Sequence, residues 1–196
     1  MASRTEIRIT GFGGQGVVLS GHIIGHACAI NSGLHATMIQ SFGPEARGSA
    51  CSCTLAISDS EVLYPYITKP DIFVVMSAEG YTKFRDELKP KGILVYEKDL
   101  VKPKLKKGQP SYGITSTRIA EELGRRLVQN IVMLGFVGAV TQIANKDAMR
   151  KAVEESVPSG TEELNLRAFD AGWEFFDQEY GKSAEKDAAV SETVAK

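Results

Sequence analysis

A glycine-rich segment near the start of the chain constrains its fold more than any other feature. Residues 11–16 read Gly-Phe-Gly-Gly-Gln-Gly; they follow an alternating apolar run, residues 7–10, and precede a helix-compatible segment, residues 17–30. In a strand, turn and helix arranged in this order, backbone N–H groups point at an anion and the helix N-terminus adds partial positive charge. Glycine allows positive φ and places no Cβ between backbone and ligand. The segment therefore predicts either a phosphate cradle or only a tight turn that packs the helix on a sheet.

The glycine spacing also matches a dinucleotide-binding pattern, because Gly11, Gly13 and Gly16 satisfy G-x-G-x-x-G. That fingerprint needs an acidic residue about 20 residues further on, at the end of the second strand, to bind the ribose hydroxyls. The second predicted strand ends at Ser41 without a carboxylate, and Glu45 follows only beyond a proline. NAD binding is therefore disfavoured.

The order of strand and helix patterns predicts an α/β fold. Strands alternate with helices in the first half of the chain, and helices dominate the second half. We expect three layers, with a mostly parallel, mixed, Rossmann-like sheet flanked by helices and a helical C-terminal part. Residues 50–58 alternate and predict the antiparallel part, with residues 61–63 returning as a hairpin strand. Right-handed crossovers place the glycine turn at the carboxyl edge of the sheet, where open α/β sheets bind ligands.

The composition bounds the domain organisation and excludes several classes of function. We expect residues 1–180 to form one domain and residues 181–196, which lack an apolar face, to form a disordered tail. The formal net charge of -1 argues against binding nucleic acid or an anionic membrane surface. No run approaches the roughly 20 apolar residues that span a bilayer. Three cysteines cannot form a paired disulfide framework, so we expect a reducing, cytoplasmic location.

A second constrained loop occupies residues 42–49, Phe-Gly-Pro-Glu-Ala-Arg-Gly-Ser. Pro44 fixes its own φ and biases the preceding glycine away from helix, and Gly48 permits unusual backbone conformations. Glu45 and Arg47 are thereby held on a restricted loop. They form either a surface ion pair, whose contribution would be about 0–1 kcal/mol, or a rigid polar contact to a ligand or another subunit.

The cysteines and histidines do not predict a metal centre or a catalytic group. An iron–sulfur cluster needs about four cysteine ligands, and this chain has Cys28, Cys51 and Cys53 only. The last two point to the same face of a strand, and we expect them to be small buried residues. His22 and His26 have an i, i+4 spacing that can bind a metal, but no third ligand is evident. We therefore assign no metal ligand and no catalytic residue.

Three polar residues are predicted to cap helices in the second half of the chain. Ser116 or Thr117 precedes one helix, and Asn130 precedes an apolar segment, residues 131–143. That segment is apolar nearly all round, so we expect a buried core helix, although a subunit contact has the same pattern. The aromatic end of the last helix, residues 173–176, similarly packs on the sheet or contacts another subunit.

Four segments, in this order and spacing, resemble one protein family. They are residues 11–16, residues 42–49, Asn-Ile-Val-Met-Leu-Gly at 130–135, and Asn-Leu-x-Ala-Phe-x-x-Gly at 165–172. This combination is similar to the gamma subunit of the 2-oxoacid:ferredoxin oxidoreductases that act on pyruvate, 2-oxoglutarate or 2-ketoisovalerate. The one visible departure is Ser49, where the family usually has a second glycine.

The resemblance implies a role in a multisubunit enzyme of anaerobic metabolism. Such complexes oxidatively decarboxylate a 2-oxoacid with coenzyme A and give acyl-CoA, carbon dioxide and reduced ferredoxin. Thiamine diphosphate, magnesium and the iron–sulfur clusters are expected on the partner subunits, namely alpha, beta and a ferredoxin-like delta subunit, with ferredoxin as the acceptor. The resemblance further implies that this chain binds no cofactor alone and is inactive alone.

The expected contribution of this chain is a wall beside the coenzyme A or thiamine diphosphate region. The residues predicted to contact the cofactor lie in the two loops and are Gly11, Gly13, Gly14, Gln15, Gly16, Glu45, Arg47 and Gly48. Two alternatives stay open, a stand-alone nucleotide-binding oxidoreductase and a purely architectural subunit that binds no small molecule.

Overall fold

One six-stranded β-sheet organises the chain in the computed structural model, which describes residues 4–42 and 50–181. The strands are β1 (Arg4–Phe12), β2 (His35–Phe42), β3 (Ala50–Ser58), β4 (Ile72–Val75), β5 (Ile93–Glu97) and β6 (Ser111–Ile114). The helices are α1 (Val17–Ala29), α2 (Ala78–Phe84), α3 (Ser116–Glu122), α4 (Gln129–Thr141), α5 (Lys146–Ser156) and α6 (Glu162–Glu179), with a short 3₁₀ turn (Arg126–Val128) before α4.

The strand order confirms the predicted mostly parallel, mixed sheet. The strands lie in the order β2-β3-β1-β4-β5-β6. β3 is antiparallel to both of its neighbours, whereas β1, β4, β5 and β6 pair in parallel. The carboxyl ends of β1, β2, β4 and β5 therefore lie at one edge of the sheet, which we call the carboxyl edge.

The predicted hairpin strand at residues 61–63 is wrong. These residues follow β3 but form no strand. β3 pairs with β1 on one side and with β2 on the other, over nearly its whole length. Because both of its hydrogen-bonding edges are occupied, a strand that returns directly after it has no place to pair.

Helices cover both faces of the sheet, but unequally. Successive residues of a strand point to opposite faces, so Ile7 and Ile9 face one layer while Arg8 faces the other. The first face packs against α1, α4, α5 and α6 and holds the larger core. The second face carries a smaller cluster, which includes Phe73 of β4 and Tyr81 of α2. Among the described residues, no helix is long and apolar enough to cross a membrane.

α4 and α6 pack closely through two glycines. A Cβ added at Gly135 would collide with the carbonyl oxygen of Phe169, and one added at Gly172 would collide with the carbonyl oxygen of Val132. The two helices therefore approach backbone to backbone. α4 is buried along most of its length, which confirms the expected core helix. Trp173, the first residue of the aromatic end of α6, is 8% exposed and lies against Gly138 of α4. It is therefore part of the contact between these two helices.

Candidate functional site

The two loops singled out in the sequence, the glycine turn and residues 42–49, are both flanked by residues at the carboxyl edge of the sheet. The glycine turn, residues 13–16, connects the end of β1 to the start of α1. Phe42 ends β2 and Ala50 begins β3, and Ala50 pairs with Phe12 at the end of β1. Residues 43–49 lie outside the described residues, and with them the predicted positions of Glu45, Arg47 and Gly48. The chain enters and leaves that segment beside the glycine turn.

Gln15 holds the glycine turn in place through both ends of its side-chain amide. Its Oε1 accepts a hydrogen bond from the backbone N–H of Phe12 at 2.7 Å, and its Nε2 donates to the carbonyl oxygen of Met76 at 3.1 Å. Its own backbone N–H donates to the carbonyl oxygen of Phe12 at 3.0 Å. A Cβ added at Gly11 would come within 2.6 Å of Gln15 Oε1. Gly11 and Gln15 therefore form the supporting base of the turn.

Gly14 and Gly16 take the left-handed backbone conformation, with φ of +98° and +72°. Gly14 is exposed, and no described atom lies within 4 Å of the position that a Cβ would take. Gly16 is the N-cap residue of α1, and a Cβ on it would collide with the side-chain amide of Asn130. The turn thus has an open side at Gly14 and a packed side at Gly16.

The predicted helix cap at Asn130 is wrong. α4 begins one residue earlier, at Gln129, and its N-cap residue is Val128. Because Asn130 already has helical backbone, its side chain does not bond to the N–H groups that a cap would serve. Its amide instead lies against Gly16, so this residue joins the N-terminus of α4 to the N-terminus of α1. The sequence pattern gave no signal of this contact, since the two residues are far apart in the chain.

The predicted caps at Ser116 and Thr117 are also wrong, and a buried carboxylate takes their role. The N-cap residue of α3 is Thr115, without a side-chain cap in the described structure. Glu97, which ends β5 and is 1% exposed, accepts hydrogen bonds from the hydroxyl of Ser116 and from the backbone N–H of Thr117 at 3.2 Å. Sequence reasoning missed Glu97, because it lies in an otherwise apolar strand.

The three cysteine side chains are buried and pack in the hydrophobic core. Cys51 and Cys53 point to the same face of β3, as predicted, and pack with Cys28 in the larger core. Burial raises the pKa of the Cys53 thiol to about 12 and that of Cys28 to about 11. An iron–sulfur cluster needs about four cysteine ligands, and the chain has three. In the part of the chain that the structure describes, no three His, Cys, Asp or Glu side chains are grouped to hold a metal ion.

The histidine pair contributes to a contact between helices. The rings of His22 and His26 lie edge to face, with centroids 6.2 Å apart. His26 Nε2 is 3.0 Å from a carboxylate oxygen of Glu155 on α5. The pair therefore lies where α1 packs against α5, on the helix side of the sheet.

The structure described so far is an α/β domain with a glycine turn at the carboxyl edge of its sheet, and β2 carries no carboxylate at the end where a ribose-binding one is expected. The match to protein families is more specific. The chain belongs to the pyruvate ferredoxin/flavodoxin oxidoreductase family, whose model matches residues 6–175. The resemblance to a gamma subunit, seen in the sequence motifs, is confirmed.

Relatives of known name agree with this assignment. The 2-oxoglutarate synthase subunit KorC of Methanocaldococcus jannaschii is 45% identical over 174 residues, which cover 87% of this chain and 93% of that subunit. The pyruvate synthase subunit PorC of Methanothermobacter thermautotrophicus is 35% identical over 170 residues, which cover 83% of this chain and 91% of that subunit.

Two solved structures share the fold. A keto/oxoacid ferredoxin oxidoreductase gamma subunit from Geobacter sulfurreducens has a TM-score of 0.76 and 36% identity, over 87% of this chain and 96% of that one. The 2-oxoglutarate:ferredoxin oxidoreductase from Magnetococcus marinus, with 2-oxoglutarate, coenzyme A and succinyl-CoA bound, has a TM-score of 0.78 and 26% identity. That match covers 86% of this chain but only 30% of the longer one.

Proposed function

We propose that this chain is the gamma subunit of a 2-oxoglutarate:ferredoxin oxidoreductase. The complex would convert 2-oxoglutarate, coenzyme A and oxidised ferredoxin into succinyl-CoA, carbon dioxide and reduced ferredoxin. The observation that carries this choice of 2-oxoacid is the 45% identity to a 2-oxoglutarate synthase subunit over almost its whole length. The pyruvate synthase subunit is less similar, at 35% identity, so pyruvate is the second candidate.

The proposed function needs partner subunits that bring the reactive groups. In the Magnetococcus marinus enzyme this domain is about a third of a longer chain, so further parts of that enzyme are covalently attached to it. We expect alpha, beta and ferredoxin-like delta subunits to supply the equivalent parts here, with thiamine diphosphate, magnesium and iron–sulfur clusters. The cysteine count supports this division, since the chain has three cysteines and an iron–sulfur cluster needs about four such ligands. The three free cysteines also suit a reducing, cytoplasmic location.

The contribution that we propose for this chain is a rigid surface beside a phosphate-bearing cofactor. Thiamine diphosphate supplies the decarboxylation chemistry when it is bound, and coenzyme A accepts the acyl group. The open side of the glycine turn at Gly13 and Gly14 suits a phosphate, since the first N–H groups of a helix, here those of α1, have no acceptor within the helix itself. Gly11, Gln15 and Gly16 would hold that surface in shape. The loop with Glu45, Arg47 and Gly48, anchored at the same edge, would add charged contacts.

A pair of matched glycine variants tests the proposed contact. Gly14 and Gly160 both have positive φ, at +98° and +85°, and neither has a described atom near the position of a Cβ. Gly14→Ala and Gly160→Ala should therefore introduce similar backbone strain, but only Gly14 lies in the proposed site. We expect Gly14→Ala to raise the KM for coenzyme A of the assembled complex several-fold, and Gly160→Ala to leave it unchanged.

The same assay separates the proposed role from a purely architectural one. Arg47→Ala should also raise the KM for coenzyme A while the complex still assembles. If Gly14→Ala and Arg47→Ala both assemble and keep the KM for coenzyme A of the unaltered complex, the glycine turn is only a structural turn. Rates with 2-oxoglutarate and with pyruvate, measured on the same preparation, decide between the two proposed substrates.

A further inference from the structure

Exposed large apolar side chains are concentrated on one loop. Among the described residues, Leu63, Tyr64 and Tyr66 are 85%, 64% and 62% exposed, while the other exposed side chains of this kind are spread over the chain. The ring centroids of Tyr64 and Tyr66 are 5.5 Å apart. Single exposed apolar residues are normal, but a contiguous apolar surface marks an interaction site. We call residues 61–66 the apolar loop.

The apolar loop lies at the opposite edge of the sheet from the glycine turn. It belongs to the connection between β3 and β4, residues 59–71. Ser58, which ends β3, pairs with Arg4 at the start of β1. Ile72, which begins β4, pairs with Ile7, also in the first half of β1. Both ends of the connection are therefore remote from the carboxyl edge, and the two loops form separate surfaces.

A buried arginine fixes the chain directly after the apolar loop. Arg8 is 8% exposed, and its Nη2 donates to Glu87 Oε2 at 2.7 Å and to the carbonyl oxygen of Ile67 at 3.5 Å. The guanidinium carbon of Arg8 lies 4.3 Å from the centroid of the Phe84 ring. Ile67 is itself buried, whereas Tyr66 before it is exposed. The loop is thus held at its base, which lowers the entropy cost of binding through its exposed side chains.

The relatives show that this domain occurs both as a separate subunit and as part of a longer chain. The match covers 93% of the Methanocaldococcus jannaschii subunit but only 30% of the Magnetococcus marinus chain. In the longer chain the rest of the polypeptide is covalently attached to the domain. A separate subunit lacks that attachment, so a non-covalent interface has to hold it. The centre of such an interface consists of a few large side chains, with tyrosine among the enriched residues.

We propose that the apolar loop binds a partner subunit of the same complex, one that supplies a part attached to the domain in the longer chain. The partner offers an apolar pocket to Leu63 and hydrogen-bond acceptors to the hydroxyls of Tyr64 and Tyr66. Arg8 acts as a positioning residue for the loop. The inference rests on the proposed function for the identity of the partner. Since the glycine turn is not involved, assembly and cofactor binding are separable.

Polar substitutions in the full chain test the contact. The purified chain is titrated into the alpha, beta and delta subunits of the proposed complex, and binding is followed by calorimetry. Leu63→Gln and Tyr66→Ser should each weaken binding at least about tenfold. Ile30→Gln is the matched control, since Ile30 is 71% exposed at the end of α1, on the other face of the sheet. It should bind as the unaltered chain does, and all three variants should keep the thermal unfolding midpoint.

A double-mutant cycle tests the positioning role of Arg8. Arg8→Lys keeps the charge but loses the planar group that bonds to Glu87 and Ile67. It should weaken partner binding when the loop is unaltered, and have little further effect when Leu63→Gln and Tyr66→Ser are already present. An equal effect of Arg8→Lys in both backgrounds would show that this residue stabilises the fold without positioning the loop.

The outcomes distinguish failure of the contact from failure of the proposed function. If the complex oxidises 2-oxoglutarate or pyruvate and Leu63→Gln and Tyr66→Ser bind as tightly as the unaltered chain, the inference fails and the proposed function stands. If both variants bind weakly but the complex oxidises neither 2-oxoacid, the contact stands and the proposed reaction fails. No binding of the unaltered chain would overturn both.

Two further measurements complete the test. At saturating partner concentrations, Leu63→Gln and Tyr66→Ser should keep the KM for coenzyme A of the unaltered complex, because the apolar loop is remote from the carboxyl edge. Sedimentation of the isolated chain checks for self-association. A dimer that these two substitutions dissociate would assign the apolar loop to a second copy of the chain and overturn the inference.

Discussion

Two pairs of glycines show how similar sequence motifs have different roles in this molecule. Gly135 and Gly172 lie where α4 and α6 cross, and an added Cβ on either would collide with a backbone carbonyl oxygen. Gly14 and Gly16 lie in the turn after β1 and have positive φ, and Gly14 has open space around it. The first pair determines how closely two helices pack. The second pair shapes a surface at the carboxyl edge, and substitution of its open member, Gly14, should affect binding more than folding.

The largest expected effect comes from the helix crossing. Gly135→Ala or Gly172→Ala forces α4 and α6 apart, because the obstructing atoms are backbone and cannot rotate away. We expect a loss of about 3 kcal/mol or more in the free energy of unfolding, or no folded protein at all. Denaturant unfolding measures this loss. Ala171→Gly, next to Gly172 on α6, is the control and should cost only about 1 kcal/mol.

Unfolding midpoints for Gly135→Ala and Gly172→Ala no lower than that of Ala171→Gly would contradict the close crossing of these helices. The glycines of the last two family motifs would then need another explanation.

An intermediate effect is expected at the base of the glycine turn. Gln15→Leu keeps a similar side-chain volume but leaves the backbone N–H of Phe12 and the carbonyl oxygen of Met76 without their present partners. We expect a loss of about 1–3 kcal/mol in the free energy of unfolding, measured by denaturant titration. Gln178→Leu, on the exposed part of α6, should change it by less than about 0.5 kcal/mol. Equal stability of the two variants would show that Gln15 does not support the turn.

The smallest effect on stability is expected at the open side of the turn. Gly14→Ala and Gly160→Ala place a Cβ on residues with positive φ but without a steric collision among the described atoms. Each should lower the free energy of unfolding by about 1–2 kcal/mol, which thermal unfolding can resolve. The two variants should match in stability and differ only in the KM for coenzyme A. A much larger loss at Gly14 would mean that this glycine serves packing, as Gly135 does.

The sequence predicted those parts of the fold that depend on local patterns. The alternation of residues 50–58 identified the antiparallel strand β3. The position of the glycine turn at the carboxyl edge followed from the handedness of the crossover connections. The predicted hairpin strand at residues 61–63 was wrong. β2 and β1 occupy the two edges of β3, and no local pattern in the sequence shows that both edges are taken.

The candidate site was only partly predictable, because its contacts join distant parts of the chain. Gln15 bonds to a carbonyl 61 residues away, and Glu97 accepts from residues 19 and 20 positions further on. Asn130 has the sequence context of a helix cap, and only the position of α1 shows that it faces Gly16 instead. Buried Arg8 similarly pairs with Glu87, 79 residues away, at 2.7 Å. No periodicity or spacing rule reports such pairs.

The central claim is that this chain provides a binding surface while its partner subunits provide the reactive groups. Turnover with one component omitted at a time tests it most directly, with carbon dioxide release and ferredoxin reduction as the two readouts. We expect no turnover from the purified chain alone, and restored turnover when it is added to partner subunits that carry thiamine diphosphate and iron–sulfur clusters. Decarboxylation or ferredoxin reduction by the purified chain by itself would contradict the claim.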